Sequence, residues 1–153
     1  MEAFLIGLGL VVLALGGWAG VEWLQRRRLN NMSGTARVTG RCGDTMALGL
    51  SFEDGRVTGT ACRADGCTYS HLCLKAAADL AMGNTADRVL DVDVPAIRAA
   101  VEGLPEDHRH CAVLATLTLH RAVDDYLRAL AADCLETMAG QDLSPESDIQ
   151  EPA

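Results

Sequence analysis

From Ala3 to Val21 the chain carries no charged residue. A helix needs about 20 apolar residues to cross a hydrocarbon core, so this segment, AFLIGLGLVVLALGGWAGV, sets the frame for everything after it. Trp18 and Trp23 stand toward its far end, where interfacial belts place aromatic residues. Arg26, Arg27 and Arg28 follow at once, and the amino-terminal side carries only Glu2. The cytoplasmic bias of basic flanks then predicts a single-pass anchor in the cytoplasmic (inner) membrane, N-terminus outside and the remainder inside. A secretory signal peptide fits less well. It has a basic start and a small-residue cleavage site, whereas this run starts with an acid and ends in Trp and Arg. Gly16 and Gly20 form a small-xxx-small pair, which lets a second membrane helix approach closely.

The rest of the 153-residue chain has room for one small core. The expected organisation is an anchor with its basic flank over 1–28, a linker over 29–36 (LNNMSGTA starts it at Leu29 and ends it at Ala36), a folded domain over 37–139 and an acidic disordered tail over 140–153. From Leu29 onward acids outnumber bases 19 to 10, and aromatics make up only 4% of the chain. Such a domain has neither the basic patch nor the stacking platforms of a nucleic-acid binder. The tail QDLSPESDIQEPA, with four acids and two prolines, cannot bury enough apolar surface to order itself.

Thr45–Phe52 alternates, with Met46, Leu48, Leu50 and Phe52 on one side, and so predicts a half-buried strand. Asp54-Gly55 is a hairpin-turn dipeptide, and Val57–Arg63 returns as the second strand. A helix is expected from Thr68 to Met82, stopped by Gly83-Asn84, with Tyr69, Leu72, Cys73, Ala76 and Leu80 on its inner face and His71, Lys75 and Asp79 in solvent. Asp93 and Pro95 mark the start of a short helix carrying Ile97 and Val101. The last helix is expected from His110 to Met138, ended by Gly140. Its buried stripe reads as Val113, Leu117, His120, Val123, Leu127, Leu130 and Cys134, with outer pairs Arg121–Asp125 and Asp124–Arg128.

Of six cysteines, three sit where a metal ligand would be useful. Cys42 precedes the first strand in Cys42-Gly43-Asp44, Cys67 follows the hairpin in Asp65-Gly66-Cys67, and Cys111 opens the long helix directly after His110. A helix N-terminus favours the thiolate, and neighbouring glycines leave room beside the backbone. No CxxC pair announces a zinc ribbon, and a cytoplasmic location disfavours structural disulfides. Cys73 and Cys134 read as buried small hydrophobes, and Cys62 as a strand residue. His120 reads as a hydrogen-bonded core histidine, and His71 and His108 as solvated.

In order, CGDTMALGLSFEDGRVTG, ADGC and LPEDHRHCAVLATLTLHRAVDDY resemble the IscU/NifU-type iron–sulfur cluster assembly scaffolds, over about Arg41 to Tyr126. The resemblance implies an α+β fold, a small antiparallel sheet packed by helices. It implies Cys42, Cys67 and Cys111 as cysteine ligands, Asp44 as the aspartate that keeps the cluster labile, and His110 as the histidine beside the site. It further implies a [2Fe–2S] cluster built from iron and from persulfide sulfur supplied by a cysteine desulfurase. Cys111 would be the persulfide acceptor, a ferredoxin-type donor would supply electrons, and apo-proteins would receive the cluster. Thiolates are the ligands such clusters prefer, and the same donors would hold Zn²⁺.

Two departures stand out. The family's Leu-Pro-Pro-Val-Lys, read by an Hsp70-type chaperone, is here Leu104-Pro105-Glu106-Asp107-His108, and the bulky Thr68-Tyr69 follows Cys67. Two functions fit: a membrane-anchored scaffold or carrier with no turnover of its own, or an accessory subunit of a larger membrane (respiratory or photosynthetic) complex built on a scaffold-like domain.

Overall fold

The computed structural model describes residues 15–17, 20 and 32–141, with side chains to Met138. The order of elements is β1 (Gly34–Thr39), β2 (Thr45–Glu53), β3 (Arg56–Asp65), α1 (Thr68–Ala81), α2 (Ala86–Leu90), α3 (Val94–Ala100), a single 3₁₀ turn (Glu106–His108) and α4 (Arg109–Gln141). The strands form one antiparallel sheet in the order β1-β2-β3, and the helices pack on it, so the fold is α+β.

Alternation in β2 does what the sequence predicts. Met46, Leu48 and Leu50 have no exposed surface and pair across the ladder with Ala64, Cys62 and Thr60 of β3. Each such large side chain contributes about 1.5–3 kcal/mol of burial. Asp54 and Gly55 both take positive φ (51° and 73°), the type I′ geometry that matches strand twist. A bulge lies between Ser51 and Phe52, and the half-buried Phe52 still packs against the core, its ring stacked flat on Tyr126 of α4 with centroids 3.9 Å apart.

β1 occupies part of the segment expected to be linker. Gly34, Thr35 and Ala36 pair with Leu50, Gly49 and Leu48, because β2 offers a free edge whose backbone groups need partners. β1 lies directly against α4. A Cβ on Gly34 would collide with the carbonyl oxygen of Ala122 and lie 2.7 Å from Tyr126 Cβ. The Thr35 N–H donates to Asp125 Oδ2 at 2.9 Å.

The expected inner face largely holds on α1 and fails on α4. On α1 Cys73 and Ala76 are buried and Tyr69 and Leu80 pack against the core as expected, joined by Ser70, Leu74, Ala77, Ala78 and Ala81, while Leu72 is 45% exposed. On α4 the inner face is Cys111, Ala112, Ala115, Thr118, Leu119 and Ala122, while Val113, Leu117, Leu127, Leu130 and Cys134 are exposed. Small residues let the helices approach the sheet and each other closely, and this outweighs the pull of the larger side chains. Of the expected stripe, Val123 is buried and His120 donates from Nε2 to the Val92 carbonyl at 2.9 Å, as a core histidine should. Lys75 and Asp79 pair in solvent at 2.8 Å, and Asp93 caps α3 by accepting from the Ala96 N–H.

α4 continues through Gly140 to Gln141, since an isolated glycine costs a helix only about 1 kcal/mol. The rest of the tail lies outside the described residues. So does the Ala3–Val21 run, apart from residues 15–17 and 20, which are helical. Among the described residues no helix is long and apolar enough to cross a membrane.

Replacing Gly34 by Ala forces β1 away from α4 and is expected to destabilise the domain by about 1–3 kcal/mol. Urea unfolding of the two proteins measures it. An unchanged midpoint would show that the β1–α4 approach is not a tight constraint.

Candidate metal centre

Four chain segments converge at one end of the sheet. The β1–β2 loop carries Cys42 and Asp44, with Gly43 at φ 89° making the turn between them. The end of β3 delivers Gly66 and Cys67, and Cys67 is the N-cap of α1. The first turn of α1 supplies Ser70, and the first turn of α4 supplies His110 and Cys111.

All five residues that the sequence singled out come together, in two overlapping groups. Ligand atoms of Cys42, Asp44 and His110 lie within 4.8 Å of one another, and so do those of Asp44, Cys67 and Cys111. Asp44 belongs to both. The sulfurs of Cys67 and Cys111 are 3.7 Å apart. His110 hydrogen-bonds through Nδ1 to the Asp107 carbonyl at 3.0 Å, which places the proton on Nδ1 and leaves Nε2 as the ligand atom.

The two paired thiols differ. Cys111 has no exposed surface, and burial pushes its thiol up to about 11. Cys67 is half-buried, and its thiol lies below the ordinary 9.0, mainly because the Ser70 hydroxyl hydrogen-bonds to its sulfur. Asp44 is likewise held below the usual carboxylate value, first by the Ser70 hydroxyl and then by the Cys67 N–H. Cys42 is exposed. Beside Cys42 and His110 opens a cleft of about 470 Å³, walled by Val38, Val113, Leu114 and Leu117. Val113 and Leu117 are thus exposed because they line the approach to the centre.

Outside the centre, Cys73 is buried, as expected, with its thiol pushed up to about 11 by burial. Cys62 is exposed, and partial desolvation by its neighbours on the sheet raises that thiol as well. His108 is only partly solvated, its side chain 31% exposed. Its ring packs edge-on against Tyr69 with centroids 4.5 Å apart, so the two bulky departures from the family pattern fill one another's space. Glu106 bridges Arg98 (2.7 Å) and Arg109 (3.0 Å), which gives one of the two acids in Leu104–His108 a structural role. Ser70 is the site residue that sequence reasoning missed. Neither helical periodicity nor ligand spacing marks a serine, and only the turn of α1 from Cys67 brings it into the centre.

The model for the NifU-like N-terminal domain matches residues 26–133, which include every one of these groups. The chain belongs to that family. Two Archaeoglobus fulgidus proteins named iron–sulfur cluster assembly scaffold protein IscU 1 and IscU 2 are each 32% identical to it over 87 residues. The match covers 57% of this chain and 57% of each relative, so the chain spans little more than half of their length. The crystal structure of the N-terminal part of a NifU-like protein from Brucella abortus superposes with a TM-score of 0.53 at 18% identity. It covers 64% of this chain and 81% of that one, and shares the fold.

Thiolate, not thiol, attacks an alkylating agent. With iodoacetamide at neutral pH, Cys42 and Cys67 are expected to be modified well before Cys111. The Cys67 rate should reach its half-maximum below pH 9.0 and the Cys111 rate near pH 11. Peptide mapping over a pH series reads both, and equal rates for Cys67 and Cys111 would contradict the described asymmetry.

Proposed function

We propose that this protein is an iron–sulfur cluster assembly scaffold that receives iron and sulfur as its cargo and passes on a [2Fe–2S] cluster. The observation that carries the reading is the pair of ligand groups sharing Asp44. Cys42, Cys67 and Cys111 would hold the irons through their thiolates, with Asp44 or His110 as the fourth donor. Iron–sulfur clusters are most often held by four thiolates. Here three thiolates would be completed by the Asp44 carboxylate or the His110 imidazole, a weaker fourth donor that suits a cluster that must leave.

In this reading sulfur arrives as a persulfide from a cysteine desulfurase. The resemblance makes Cys111 the persulfide acceptor, but Cys111 is fully buried, so the half-exposed Cys67, its sulfur 3.7 Å away, would meet the persulfide first. Electrons come from a ferredoxin-type donor, and the acceptor is an apo iron–sulfur protein. The chain acts as a carrier and not as an enzyme with a turnover of its own. Zn²⁺ would take the Cys67–Cys111–Asp44 side with the same donors.

Residues 1–28 extend the proposal to location. Their uncharged run followed by three arginines supports a tether to the cytoplasmic membrane, which would raise the local concentration of scaffold near a membrane-bound acceptor.

Anaerobic reconstitution with ferrous iron, a cysteine desulfurase, cysteine and excess dithiothreitol as the reductant is expected to give about two irons and two sulfides per chain. Cys67→Ser or Cys111→Ser should reduce both to background. Wild-type protein that retains neither iron nor sulfide would sink the scaffold reading. Separately, the full chain should stay with membranes through a carbonate wash, and its release into the supernatant would overturn the tether.

A further inference from the structure

Among the described residues the buried polar side chains are Ser70, Thr116 and Thr118. Both threonines satisfy their hydroxyls within α4, donating to the carbonyls of Ala112 and Leu114 four residues back. Ser70 has no exposed surface either, yet its hydroxyl is turned into the centre. It donates to Asp44 Oδ2, and its oxygen lies 3.4 Å from Cys67 Sγ and 3.5 Å from Cys111 Sγ. One hydroxyl therefore touches three of the five candidate ligands, which come from three separate chain segments.

We propose that Ser70 is a positioning residue for the metal-holding centre, acting through Asp44. The inference rests on the metal-holding reading above. A ligating carboxylate is free to rotate unless something holds one of its oxygens, and a group that does so tunes affinity without touching the metal. Oδ2 of Asp44 takes the Ser70 hydroxyl and the Cys67 N–H (3.4 Å), which fixes the rotation of the carboxylate and leaves Oδ1 outside both of these contacts. Ser70 is suited to the task because its place is fixed twice. Its N–H donates to the Cys67 carbonyl at 3.0 Å in the first turn of α1, and its side chain has no room to move. Gly66 completes the arrangement from the other side. A Cβ there would lie 2.6 Å from Asp44 Oδ2 and 2.8 Å from Asp44 Cβ, so glycine is what allows the carboxylate to reach Ser70.

The test is a competition titration of the full apo-chain with Zn²⁺ and with Co²⁺ against a chelator. It compares wild type, Ser70→Ala, Asp44→Ala and the double variant, with thermal unfolding of each apo-protein as the folding control. Ser70→Ala is expected to weaken metal binding about tenfold to a hundredfold and to alter the Co²⁺ absorption spectrum. In the Asp44→Ala background the same substitution should change affinity by less than about threefold, because the group it acts through is gone. Gly66→Ala reaches the same contact from an exposed position without touching the hydroxyl, so it serves if Ser70→Ala does not fold. It should reproduce both the loss and its disappearance when Asp44 is absent. Equal losses in the two backgrounds would mean that Ser70 only supports the fold. An unchanged affinity in the wild-type background would likewise overturn the proposal. A wild-type chain that binds neither Zn²⁺ nor Co²⁺ would overturn the metal-holding reading and this inference with it, whereas normal wild-type binding with additive losses would overturn the inference alone.

Discussion

The approach of β1 to α4 is the constraint on which the rest of the structure depends. Gly34 presents no side chain to the backbone of α4, so the strand and the helix lie as close as two backbones can. At the other end of the same strand, Gly40 meets Leu114 on the first turns of the helix. The two therefore run antiparallel in close contact along the whole of β1. This fixes the opening of α4, with His110 and Cys111, at the level of the loop that leaves β1, with Cys42 and Asp44. The hairpin between β2 and β3 then returns the chain to that same end, where Cys67 caps α1. Groups from distant parts of the sequence meet because two glycines remove the side chains that would hold strand and helix apart.

Close packing also explains which parts of the fold the sequence disclosed. Strand β2 was legible because its large residues sit at every second position and all point into the core, up to the bulge at Phe52. Both long helices were legible as helices, but only α1 also as a face, with Leu72 its exception. α4 presents an exposed stripe of large residues beside a buried one rich in small residues. Val113 and Leu117 looked like core and instead wall the cleft beside Cys42, while Ala112, Ala115, Thr118 and Ala122 face the interior. Where a helix lies against a strand at backbone distance the points of contact take small side chains, and hydropathy alone ranks the large ones first. Strand β1 was missed for a related reason. Its sequence, GTARVT, is short and weakly apolar, and it is a strand because β2 needed a partner and α4 needed a flat neighbour.

The candidate centre was more legible than the packing around it, because thiols, carboxylates and imidazoles are scarce and each has its own chemistry. All five singled-out residues converge. What the sequence did not disclose is their ranking. Spacing treats Cys42, Cys67 and Cys111 alike, yet they run from exposed through half-buried to fully buried. That gradient arises from tertiary placement. Cys111 sits under the first turn of α1, and Cys42 stands on a loop with a cleft at its side.

Sharing Asp44 between the two ligand groups has a consequence for a scaffold. A carboxylate oxygen is a harder and weaker partner for iron in a cluster than a thiolate, and Asp44 is the residue common to both groups of potential ligands. As a ligand it would be the weak member of the set, the one from which release of the cluster could start. The hydroxyl of Ser70 biases that ligand from behind. It holds the carboxylate in place when the centre is empty and keeps it oriented when metal arrives. Lability and orientation would then be set by different residues. Asp44 would supply the weak link through its chemistry, and Ser70 would decide, through its fixed position, how often that link is made.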